Sequence, residues 1–153
     1  MKTSIIFPVI FSTALLAQPN FSGEWRMNAE RSNFAPLPAP EKMVRKISQR
    51  GSHLKIQTTQ FGRQHEIVTE LSYTTDGAVS RNVIRGQEFT GTAHWEGDTL
   101  VVESKREVQG MTIVQQESWS LSADGHVLTI ANHVQTPQGA FDISVVLEKQ
   151  PGS

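Results

Sequence analysis

The sequence predicts an all-β fold: an up-and-down antiparallel meander barrel of about ten strands, built from a single domain. Three observations predict it. Apolar and polar residues alternate with period two through most of the chain after residue 20, and helical periodicity is almost absent. Short turn sequences recur between the alternating runs, which makes neighbouring strands antiparallel. The apolar residues stay on one face when the runs are folded across those turns. A meander this wide closes or curls, because closure removes exposed edges.

The composition bounds the rest. A chain of 153 residues fits one domain and can bury a core without staples. The cysteine count of 0 excludes disulfide frameworks, thiolate metal sites and thiol catalysis. Lys plus Arg number 14 and Asp plus Glu 15, so the net charge of −1 gives no basic surplus for nucleic acid. The hydrophobic fraction of 37% is modest for a large dry core.

The elements follow in order. Met1-Lys2 is a positive start, and Thr3 to Ala17 carries no charge. That run is shorter than the ~20 residues of a spanning helix and matches a signal-peptide apolar region. Residues 1–17 are therefore expected to be a signal peptide cut before Gln18, although Leu15 stands where a small residue is preferred. An uncleaved N-terminal anchor is the alternative. Export without cysteines points to a periplasmic or secreted bacterial protein, with residues 18–153 as the barrel domain. No later apolar run is long enough to span a membrane.

Phe21, Gly23, Trp25 and Met27 alternate with polar residues on a first strand. Residues 29–42, AERSNFAPLPAPEK, hold Pro36, Pro38 and Pro40 and read as an extended connector. Further strands are expected at Met43–Arg50, His53–Gln60, Gln64–Thr74 and Ala78–Ile84. Glu88–Glu96, Thr99–Val108, Met111–Leu121, His126–Thr136 and Gly139–Lys149 complete the set. Gly51-Ser52, Gly97-Asp98, Gln109-Gly110 and Pro137-Gln138 read as two-residue hairpin loops, and Ser122–Gly125 as a four-residue loop. Asp76-Gly77 is a further turn signal. Folding across these loops sets Trp95 against Leu100, Ala93 against Val102 and Phe89 against Arg106. It also sets Trp119 against Leu128, Glu117 against Ile130, Gln115 against Asn132 and Val134 against Phe141.

Gly23-Glu24-Trp25, ahead of these strands, resembles the opening of lipocalins and fatty-acid-binding proteins, the calycin barrels. The resemblance implies that Trp25 packs across a closed barrel end, with Gly23 beside it. The longer pattern also resembles a group of small exported bacterial proteins of unassigned function. Its marks are Gly23 to Asn28 with Arg31-Ser32, Gly91 to Asp98, and Trp119 to Gly125. It implies a calycin-like barrel and no chemistry. Two departures stand out. The Pro-rich connector replaces the two lid helices of fatty-acid-binding proteins. The chain after Lys149 leaves no room for the helix that follows the last lipocalin strand.

Polar residues interrupt the apolar inward face: Ser104, Arg106, Gln115, Glu117 and Asn132. A charge inside a dry core is costly, whereas a wet cavity accommodates it. These five, with Phe89, Val102 and Ile113, are the candidate ligand-binding residues. The register around Asp76-Gly77 leaves Tyr73 undecided. Arg106 has two readings: a lumen cation that meets an anionic ligand, or a solvated rim residue beside Gln109-Gly110. Gly91 and Ala93 either make room for a ligand or let the sheet bend. Gly23, Trp25, Trp95 and Trp119 are expected to be structural. His53, His65, His94, His126 and His133 show no metal-ligand spacing, and no nucleophile elbow or phosphate loop occurs. No catalytic residue, metal or cofactor is implied.

The function expected from these residues is non-enzymatic binding of a small hydrophobic or amphipathic ligand in the lumen. Its tail would lie against Phe89, Val102, Ile113, Ile130 and Ile143, with Arg106 and a Gln115–Asn132 pair orienting the polar end. The alternative is a protein-interaction or inhibitor module with a filled interior. A lumen enzyme would require Glu117 and a partner in one pocket. The sequence points to no nucleic-acid partner and names no protein partner.

Overall fold

The computed structural model describes residues 17–153, so the predicted signal peptide lies outside the described residues except for Ala17. Ten strands and no helix occupy the described chain. They are β1 Gly23–Met27, β2 Lys42–Arg50, β3 His53–Phe61, β4 Glu66–Thr74, β5 Ser80–Ile84, β6 Gln87–Glu96, β7 Thr99–Val108, β8 Met111–Leu121, β9 Val127–Thr136 and β10 Gly139–Lys149. The sheet order is β4-β3-β2-β1-β10-β9-β8-β7-β6-β5, with every neighbouring pair antiparallel. The short β1 sits between β2 and β10 and thereby joins the two ends of the chain's meander.

Local chemistry sets these registers. Arg50 opposes His53, Glu96 opposes Thr99, Val108 opposes Met111 and Thr136 opposes Gly139, so all four expected two-residue loops form. A fifth hairpin, Arg85-Gly86, escaped the sequence reading; its two residues take φ of 50° and 79°. Such a pair of positive values suits the twist of a tight hairpin, and Gly supplies one of them without steric cost.

Two expectations are corrected. The loop after β8 runs over Ser122–His126 rather than Ser122–Gly125, closed by Ser122 N–H donating to Val127 O and by Asp124 accepting from His126 N–H. Trp119 therefore opposes Ile130, Glu117 opposes Asn132, and Gln115 opposes Val134. The slip is an even one, so the inward face is unchanged. The connector is not extended throughout. It turns at Ala29–Arg31, pairs Asn33 with Ser144 of β10, and turns again after Phe34, where Leu37 N–H donates to Phe34 O at 2.8 Å.

One barrel end is plugged. Phe21, Trp25, Leu54, Leu100, Trp119, Leu128 and Leu147 are fully buried there, beside the Gly51-Ser52 and Gly97-Asp98 turns. The Phe21 ring stacks on Trp95 with centroids 5.8 Å apart and meets Trp119 edge-on at 5.5 Å. Trp25 Nε1 donates to Phe21 O at 2.8 Å, which satisfies its buried N–H. The Lys149 ammonium lies 5.9 Å above the Trp25 ring. A Cβ on Gly23, whose φ is +138°, would come within 2.9 Å of the Lys149 side chain. The other end carries Gln109-Gly110, Pro137-Gln138 and the connector, from which Phe34 packs inward.

The barrel has one seam. β4 and β5 are the outermost strands of the sheet and share no backbone ladder. The buried Asn82 of β5 bridges them: its Oδ1 accepts from Ser72 N–H at 2.8 Å and its Nδ2 donates to Ser72 O at 3.1 Å. Asn82→Leu removes both bonds to the Ser72 backbone, each contributing about 0.5–1.5 kcal/mol. Urea melts should show the loss, and amide exchange should quicken in β4 and β5 ahead of β8 and β9. Unchanged stability with uniform exchange would remove Asn82 as the closure.

Candidate functional site

The lumen contains a partly enclosed cavity of about 100 Å³. Strand parity decides what lines it. On β2, Met43, Arg45 and Ile47 point inward, because Ile47 opposes Ile56 and Arg45 opposes Thr58 across the Gly51-Ser52 hairpin. Those partners are inward in turn, since Ile56 and Thr58 are buried. The same count on β4 turns Thr69, Leu71 and Tyr73 inward. Val102 and Ser104 of β7, and Gln115, Glu117 and Trp119 of β8, form the opposite wall.

Three ionisable groups meet in this space. The Arg45 guanidinium lies 5.5 Å above the Trp119 ring and donates from Nε to Thr58 Oγ1 at 3.1 Å. No carboxylate oxygen lies within ion-pair distance of it among the described residues. Glu117 Oε2 accepts the Trp119 Nε1 proton at 2.7 Å. One indole thus holds the carboxyl group at its edge and the guanidinium over its face. Burial pulls the Arg45 pKa down, while the Glu117 carboxylate and Tyr73 push it back up. Burial pushes the Tyr73 phenol well above its ordinary range, Glu117 raises it further, and Arg45 opposes both.

Tyr73 also explains Gly91. A Cβ on Gly91 would stand 2.8 Å from a Tyr73 ring carbon and 2.7 Å from the Glu103 carbonyl oxygen. The space left by the missing side chain is filled by the tyrosine, not kept open for a ligand.

Of the eight residues singled out in the sequence, Phe89, Val102, Ser104, Gln115 and Glu117 line the cavity. Arg106, Ile113 and Asn132 do not. Arg106 opposes Phe89 and Ile113 towards the open end, half-buried, with Nε enclosed and unpartnered. Asn132 opposes Glu117, not Gln115, and its Oδ1 is buried without a partner. Ile130 and Ile143 belong to the packed core rather than the cavity wall. The cation inside the cavity is Arg45, which the sequence reading passed over. The Gly51-Ser52 hairpin held the signal: counting back from it puts Arg45 on the same face as Met43 and Ile47.

This geometry defines a class, a meander barrel of the fatty-acid-binding-protein type within the calycin-like folds. No family model matches the chain, and no curated protein matches it by sequence. Solved structures do. A secretory abundant heat soluble protein from Ramazzottius varieornatus superposes with a TM-score of 0.63 at 15% identity, over 84% of this chain and 94% of that one. Zebrafish ileal bile acid-binding protein complexed with cholic acid gives 0.55 at 19% identity, over 85% and 98%. The Manduca sexta fatty-acid-binding protein gives 0.56 at 12% identity, over 84% and 99%. At such identities the likeness establishes the fold, and the lumen must be read from this chain's own residues.

Tyr73 is the single tyrosine, so its ionisation can be followed cleanly. The unfolded chain ionises it near pH 10, and the folded barrel holds the proton to higher pH. Its contribution to stability is fully present below about pH 10 and falls above it, by up to about 1.4 kcal/mol per pH unit. Absorbance of tyrosinate should stay absent from the folded protein near pH 11 and rise only with unfolding, with Tyr73→Phe as the control. A folded protein that titrates near pH 10 would contradict the burial.

Proposed function

We propose that the barrel is a non-enzymatic binding protein that takes a small amphipathic molecule into its lumen. The observation that carries this reading is the Arg45 guanidinium, held in an interior cavity with one protein hydrogen bond and no ion-pair partner. Its remaining N–H groups have no protein acceptor among the described residues and suit one brought by a ligand. Glu117 and Gln115 flank the polar end, while Ile56, Leu71, Phe89 and Val102 desolvate the apolar end. Two structural neighbours support the reading: one is a fatty-acid-binding protein and another holds cholic acid.

The volume limits the ligand. Drug-sized ligands occupy pockets of about 300–1,000 Å³. The cavity of about 100 Å³ has room for roughly three waters or a short molecule of comparable bulk. It also stands against the alternative of an interaction module with a wholly filled interior. We propose further that the protein is exported to a bacterial periplasm or medium. The charged Met1-Lys2 start and the uncharged run to Ala17 support this.

Trp119 lines the cavity and reports on it. Alcohols, amides and acids of about two to three carbons, the bulk the cavity admits, should perturb tryptophan emission saturably. Val102→Phe, which fills the cavity, should abolish the response in a folded protein. A folded wild type that responds to none of them would overturn the reading.

A further inference from the structure

The polar end of the cavity is charge-balanced, and this restricts what it can hold. Arg45 and Glu117 stand on β2 and β8, and both are fixed on the Trp119 indole, yet no carboxylate oxygen comes within ion-pair distance of the guanidinium. Each group keeps free hydrogen-bonding capacity. Arg45 spends one N–H on Thr58 and offers only donors from the rest. Glu117 accepts one bond from Trp119 Nε1 and has only acceptor capacity left as a carboxylate.

A simple carboxylate suits half of this arrangement. It would satisfy Arg45 but would bring a like charge towards Glu117 inside a cavity of about 100 Å³. It would also supply no donor to the Glu117 side. Building on the lumen-binding reading, we infer that the lumen selects a net-neutral polar group bearing both an acceptor for Arg45 and a donor for Glu117, of which a primary amide is the simplest case, over a carboxylate of the same shape. Charge balance and donor–acceptor matching, rather than anion capture, then set the specificity.

Propanamide and propanoate are isosteric and differ in charge and donor capacity, and butanone, of the same shape, keeps the acceptor without the donor. Each is titrated near neutral pH into wild type and Glu117→Gln, following tryptophan emission and amide chemical shifts of cavity residues. Propanamide should bind wild type at least about tenfold more tightly than propanoate, the scale of one well-placed charge-assisted hydrogen bond. Glu117→Gln, which keeps an acceptor for Trp119 Nε1, should strengthen propanoate and narrow or reverse the ratio. Propanoate binding wild type as tightly as propanamide overturns the inference. So does butanone matching propanamide. Cavity shifts with none of the three would overturn the lumen-binding reading itself. The wild-type comparison stands alone if Glu117→Gln does not fold.

Discussion

The disposal of two sheet edges governs this molecule. A meander that tucks β1 between β2 and β10 leaves β4 and β5 as the outermost strands. Open edges expose backbone donors and acceptors and invite pairing with other chains. Here the two edges face each other, and the Asn82 amide spans them as a peptide group would, giving Ser72 both a donor and an acceptor. The neighbouring Tyr73 turns inward and packs its ring over Gly91 of β6. Closure therefore depends on two side chains and one absent side chain. A residue larger than Gly at position 91 would drive the ring from the seam, because the Glu103 carbonyl on the other side is backbone and cannot yield cheaply.

Closure has an electrostatic consequence. Once the wall is continuous, the inward polar groups lose water, and their arrangement has to satisfy them. Arg45, Tyr73 and Glu117 lie in one low-dielectric space, which is why burial is the largest influence on both the guanidinium and the phenol. Trp119 links this cluster to the plugged end. Its ring meets Phe21 on one side and Arg45 on another, and its N–H fixes Glu117. The aromatic plug and the polar site are one packed unit, so a change at Phe21 is felt at the charges.

The strands were legible in the sequence because two-residue loops carry explicit chemistry. Gly97-Asp98 and Gln109-Gly110 fix β6, β7 and β8 with no freedom of register. Ser122–His126 was harder, since Asp124 and Ser122 cap a longer loop through side chains whose bonds no composition rule reveals. The mistaken length moved the pairing by an even number, so the face survived the error. Arg45 was missed for a different reason. β2 reads KMVRKISQR, with cations on both faces, and its polarity pattern alone does not say which one enters the barrel. Turn parity does. The seam was illegible, because Asn82 acts across a gap with Ser72, ten positions earlier, and no periodicity marks such a contact.

The small cavity changes how recognition works in this barrel. Ten strands can enclose far more than about 100 Å³, and the difference is taken up by Trp25, Trp119, Tyr73 and their neighbours. A ligand of a few heavy atoms gains at most about 1.5 kcal/mol from each, and usually much less. Apolar area cannot then be the main discriminator. A polar mismatch weighs more, because a buried donor or acceptor left without a partner costs about as much as one or two such atoms contribute. The fold supplies the enclosure, and Arg45, Glu117 and Trp119 supply the choice.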